Sequence, residues 1–140
     1  MRATRLPLLL AGAALLGTLA IGTPVQADEK AELCAKAEAR FKKLDGIELE
    51  PANTVTVLMY KYTFCPQEVE VKAGTTVRFL NVDKRTSHSV WFKEAGQDES
   101  ERMFPEEGIS ITLKDAGTYP YLCGPHWEQE GMIGTIKVVP

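Results

Sequence analysis

The sequence predicts an all-β domain, an antiparallel sandwich or barrel of short strands, preceded by one helix. Three observations predict it. From residue 54 onward, "TVTVLMYKYTF", "QEVEVKAG", "TTVRFLNVD", "HSVWF", "ISITLKDAG", "TYPYLC" and "MIGTIKVV" are short segments rich in Val, Ile, Thr and aromatics, and several alternate apolar with polar residues as half-buried strands do. Pro66, Gly74, Gly108, Gly117, Gly124 and Gly134 fall between them as turn signals. Ahead of them, "DEKAELCAKAEARFKKL" has the different texture of an Ala-, Glu- and Lys-rich helix.

The chain opens with "MRATRLPLLLAGAALLGTLAIGTPVQA", a basic start, an apolar middle and small residues at the end. That pattern predicts a secretory signal peptide over residues 1–27, cleaved after Ala27. An uncleaved anchor is the rival reading, since the apolar stretch approaches the length of a membrane span. Gly17, Gly22 and Pro24 interrupt the stretch and the V-Q-A site follows directly, which favours cleavage.

Cleavage would leave 113 of the 140 residues, enough for one domain with a real core. Removing Arg2 and Arg5 with the signal leaves 14 basic against 19 acidic residues, a net charge of −5. A mildly acidic domain without a basic stripe is a poor candidate for nucleic acid. Nothing after the signal resembles a membrane helix.

Residues 28–50 come next. Leu33, Ala37, Phe41 and Leu44 recur at helical spacing and Gly46 suits the helix end. "GIELEPAN" reads as a connector. Inside the strand region, residues 94–108, "EAGQDESERMFPEEG", interrupt the pattern as an exposed acidic loop with room for a helical turn.

Export implies an oxidising compartment, so three cysteines need an account. An odd count means one pair and one single thiol, or no bridge. Cys34 and Cys65 stand apart from other chemistry, whereas Cys123 has donors around it. The economical split is a Cys34–Cys65 disulfide, with Cys123 left for a metal.

The segment "YLCGPHWEQEGMIG" places His126 three residues after Cys123 and six before Met132. His88, in "NVDKRTSHSVWF", is the only other histidine in the chain. Two imidazoles, a thiolate and a thioether match a trigonal His2Cys copper site with a weak axial methionine. Copper(I) favours soft sulfur and copper(II) accepts imidazole, so this set tolerates both states. Structural zinc usually takes four strong ligands, and three are evident here.

These residues carry a resemblance. "AGTYPYLCGPHWEQEGMIGTIKVV" resembles the C-terminal copper loop of the cupredoxins, the blue copper proteins of the plastocyanin, pseudoazurin and amicyanin type. "FCPQEVEVKAGTTVRFLNVDKRTSHSV" resembles their other signature, with Asn-x-Asp in a strand and the first histidine ligand beyond it. The resemblance spans roughly residues 54–140. It implies a Greek-key β-sandwich over residues 51–140, one type 1 copper cycling between Cu(I) and Cu(II), and His88, Cys123, His126 and Met132 as its ligands.

The chain departs from the family pattern in three places. Five residues, "WEQEG", separate His126 from Met132 where relatives usually have four, so Gln129 or Glu130 remains an alternative axial donor. Ser89 stands where relatives often carry Asn. The helix with Cys34 lies outside the resemblance.

A copper held by four protein donors leaves no open position for substrate, which argues against an enzyme and for outer-sphere electron transfer. By resemblance the electron leaves through the edge of His126, with Pro125 and Trp127 as the flanking partner surface. The expected role is a periplasmic one-electron carrier serving a redox protein such as a cytochrome c, or a periplasmic reductase or oxidase. Acidic residues 94–107 offer a way to steer a basic partner. Copper handling for tolerance would use the same ligands. Carriers and stores of that kind commonly show Met- or His-rich tracts, which this chain lacks.

Overall fold

The computed structural model describes residues 24–44 and 51–140. Residues 1–23 of the signal peptide expected over 1–27, and residues 45–50 of the expected connector, including Gly46, lie outside the described residues. The first helix, α1, spans Pro24–Phe41. It begins four residues before the expected Asp28, on a proline whose fixed φ suits a first helical position. Lys43 N–H to Arg40 C=O and Leu44 N–H to Phe41 C=O tighten its exit into a turn.

Seven strands follow: β1 Thr54–Tyr60, β2 Thr63–Cys65, β3 Glu68–Lys72, β4 Thr76–Asn81, β5 Gly108–Thr112, β6 Gly117–Leu122 and β7 Ile133–Val139. They form two sheets, ordered β2-β1-β4-β5 and β3-β7-β6. Two pairings are parallel, β1 with β4 and β3 with β7. The sheets are therefore mixed rather than wholly antiparallel, because the chain returns to a neighbouring strand by crossing between sheets.

Two segments differ from the sequence pattern. "TVTVLMYKYTF" is a hairpin, not one strand: β1 and β2 pair antiparallel, with Tyr60 opposite Thr63. Lys61 and Tyr62 make the two-residue turn with φ of 44° and 61°. Such turns need positive φ at both positions and are usually marked by Asn-Gly; Lys-Tyr gives no such mark. "HSVWF" is not a strand either. His88 bridges to Met103, outside any strand, and Trp91 to Leu122 of β6, so the segment makes isolated bridges only and joins neither sheet as a strand.

Alternation explains the core. In β7, Gly134, Ile136 and Val138 are buried while Ile133 and Lys137 face out, the pattern of a strand with one covered face. Phe64, Phe79 and Tyr121 meet edge to face in the middle, with centroids 4.7–6.1 Å apart, an arrangement that aromatic quadrupoles favour.

β1 and β4 break the alternation: Leu58 and Leu80 point away from that core and are still buried. They pack with Ala37, Cys65 and Val82 in a second cluster under α1, flanked by Phe41 and Leu44. The helical stripe thus covers the outer face of the β2-β1-β4 sheet. A disulfide joins Cys34 to Cys65 and ties α1 to β2.

Candidate metal centre

Cys123 is the first residue after β6 and is fully buried. The His126 N–H donates to the Cys123 carbonyl at 3.0 Å, a tight turn that brings the imidazole back over the sulfur. As a result Cys123 Sγ lies 3.3 Å from His126 Nδ1. His88 is held from the other side by paired backbone bonds with Met103, 3.0 and 2.8 Å long. Its Nδ1 lies 3.7 Å from the same sulfur. Ligating atoms of His88, Cys123 and His126 all fall within 4.8 Å of one another.

The five residues between His126 and Met132 fold as one helical turn, α2, Trp127–Glu130, closed by Gly131 at φ 65°. That left-handed position is where glycine ends a helix without strain. The extra residue is absorbed in this turn. Met132 returns to the site with its N–H on the His126 carbonyl and its carbonyl on the Cys123 N–H, and it is 1% exposed. Gln129 and Glu130, the alternative axial donors, are exposed on α2.

The outer nitrogen of His88 is also fixed. Asp83 Oδ2 sits 2.7 Å from His88 Nε2 and accepts the Lys61 N–H at 3.0 Å. Asn81, fully buried, accepts the Asp83 N–H and donates to the carbonyls of Thr86 and Met103. The Asn-x-Asp motif therefore builds the frame that presents His88. Burial alone would depress the His88 pKa; the bonds to Asp83 and Cys123 outweigh it and leave the ring above its ordinary value. His126 goes the other way, lowered by burial and by the charges of His88 and Arg102.

Ser89 ties the two ligand loops together. Its N–H points at Cys123 Sγ at 3.4 Å, its hydroxyl accepts the Gly124 N–H at 2.9 Å and donates to Glu99 at 2.6 Å. The Glu99 carboxylate lies so close over Gly124 that a Cβ there would collide with it. One member of the acidic 94–107 stretch is thus turned inward onto the site, which composition could not show.

Trp127 is half-buried with Lys93 Nζ 4.5 Å above its ring, and Pro125 is half-buried beside it. The ring that meets the two histidines is Tyr62, from the unforeseen hairpin turn. Its centroid is 4.8 Å from that of His126 and 6.5 Å from that of His88, and it is 39% exposed.

Two imidazole Nδ1 atoms around one buried cysteine sulfur, with a buried methionine bonded into the same loop, fit copper by donor chemistry. The Asp83 carboxylate faces the far nitrogen of His88 rather than the cluster, as an outer-shell partner does.

The comparisons with known proteins agree with this geometry. Residues 52–139 match copper binding proteins of the plastocyanin/azurin family. Amicyanin from Paracoccus versutus is 36% identical over 87 residues, covering 59% of this chain and 65% of that protein. Chloroplastic plastocyanin from Pisum sativum is 37% identical over 87 residues, covering 54% of this chain and 51% of that protein. The crystal structure of amicyanin from Paracoccus versutus superposes with a TM-score of 0.56 at 34% identity, covering 64% of this chain and 85% of that one. The match stops short of two thirds of the length of these two curated relatives, and α1 lies outside residues 52–139. On the profile match, the donor cluster and the shared fold together, the chain belongs to the plastocyanin/azurin family of copper binding proteins.

Proposed function

We propose that this chain is an exported, periplasmic one-electron carrier, with His88, Cys123, His126 and Met132 holding one copper ion. On this reading residues 1–27 are the export signal, residues 28–50 a helical extension with its connector, and residues 51–140 the copper-binding domain. The observation that carries it is the cluster of two imidazole nitrogens and one cysteine sulfur within 4.8 Å. When bound there, copper supplies a reversible Cu(I)/Cu(II) couple.

The chain's own residues do the rest. Asp83 fixes the orientation of His88 through Nε2, leaving Nδ1 for the metal. The Ser89 N–H points at the sulfur and helps fix its position. Backbone bonds at both ends hold Met132 against the Cys123–His126 turn. Ligands pinned in this way need little rearrangement when the charge of the site changes by one. His126 is the only one of the four that is half-exposed, which makes its edge the natural exit for an electron, toward a redox protein.

An optical and EPR spectrum of the copper-loaded protein tests the proposal. An intense thiolate-to-copper band with narrow hyperfine splitting is the expected result. A protein that stays colourless with its bound copper oxidised to Cu(II) would overturn it.

A further inference from the structure

A groove of about 630 Å³ opens beside the metal centre. Leu33 of α1, Tyr60, Lys61 and Tyr62 of the hairpin, and Lys84 and Arg85 of the loop before His88 line it. Lys61, Lys84 and Arg85 are exposed. The one acid among the described lining residues, Asp83, is buried with its carboxylate committed to His88 and to the Lys61 N–H. The groove therefore shows solvent three cations and no exposed carboxylate, on a chain whose formal net charge is −3.

The groove also ends at the site. Tyr62 forms one of its walls and sits 4.8 Å, ring to ring, from His126. Arg40 and Lys61 lie 5.8 and 5.7 Å from the Tyr60 ring, which makes the aromatic floor more cationic. Leu33 comes from α1, outside the residues that match the family, so this wall belongs to the extension.

We propose that this groove docks an acidic redox protein, and that the electron crosses beside Tyr62 to the edge of His126. The inference rests on the electron-carrier reading above. One electron passes between the partner's one-electron centre and the copper couple; no bond forms or breaks, and Tyr62 keeps its proton. Complementary charge at the contact acts on encounter rate more than on final affinity, and a local patch can outweigh net charge of opposite sign at short range because salt screens distant charges.

The test uses the copper-loaded, reduced protein and two small oxidants of opposite charge, hexacyanoferrate(III) and tris(phenanthroline)cobalt(III), in stopped flow. If the groove governs encounter, oxidation by the anion slows as ionic strength rises. Net charge alone predicts that it accelerates. Lys84→Glu with Arg85→Glu should cut the anion's rate about ten-fold or more at low salt and reverse its salt dependence. Lys72→Glu with Lys114→Glu makes the same change in net charge near the far ends of β3 and β5 and should leave that rate within about two-fold. An anion rate that rises with salt in the unaltered protein, or equal effects of the two double variants, overturns the docking proposal while leaving a coloured electron carrier intact. Absence of the thiolate-to-copper band would instead sink the reading on which it rests.

Discussion

Asp83 Oδ2 and His88 Nε2 lie 2.7 Å apart in the buried interior, with the Lys61 N–H on the same carboxylate oxygen. A carboxylate behind a ligand imidazole makes that ligand more basic and favours the more highly charged metal. Asp83→Asn should therefore weaken copper(II) binding about 10- to 100-fold and raise the reduction potential. Potentiometry beside a copper titration checks both; an unchanged potential would mean the contact is only structural.

The copper-free protein should show its two imidazoles titrating in a fixed order, His126 below the ordinary value of 6.5 and His88 above it. The signs for stability are opposite. His88 contributes stability that is full below its unfolded pKa and is lost as pH rises through its raised folded value. His126 contributes stability that is present above its unfolded pKa and is lost as pH falls toward its lowered one. NMR titration of the two rings in the metal-free state reads the order directly, and coincident curves would contradict it.

Met132→Gln should shift the absorption bands and lower the potential without abolishing copper binding, because an oxygen donor replaces a thioether at a weak position. Cys123→Ser should remove the colour. Gln129→Ala and Glu130→Ala should leave the spectrum as it was, since both side chains are exposed on α2. A band shift on Glu130→Ala would return the axial role to that carboxylate.

Ser89→Ala deletes the hydroxyl that joins Gly124 to Glu99. Leaving a part-buried Gly124 N–H without its partner should cost about 1–3 kcal/mol. Denaturant unfolding of the metal-free protein gives the stability, and the spectrum should broaden as the two ligand loops loosen. Glu99→Gln, which can still accept from Ser89, should cost less.

Replacing Cys34 and Cys65 together by Ala opens a link across 31 residues of sequence. Loop-closure entropy puts the loss near 3–4 kcal/mol. The colour should survive, because α1 covers the outer face of the sheet away from Cys123. Equal stability with and without the bridge would mean that burial of Ala37 against Leu58 and Leu80 already fixes the helix.

What could be read in the sequence was whatever has a local signature. His88, Cys123 and His126 were legible because donor types and spacings are rare in combination, and the strands because Val, Ile and Thr alternate between Gly and Pro. The Lys61–Tyr62 turn was invisible, as it uses residues that normally avoid positive φ. Glu99 looked like any other acid in a solvated run; only the fold turns it onto Ser89. Asp83 lay inside a quoted motif, yet its role depends on a ring five residues away. Each of these residues acts through a contact that periodicity does not encode.

Leu122 and Ile133 face each other as the last pair of the β6–β7 ladder, and the Cys123 N–H to Met132 carbonyl bond extends that ladder by one step. Three of the four proposed ligands therefore sit in a closed cassette at the mouth of one hairpin. Residues can be added to or removed from its tip without shifting the register of either strand. The sandwich and the rim of the metal site are then free to vary separately, so a change of loop length would tune the axial distance and the surface a partner meets while the core beneath stays as it is.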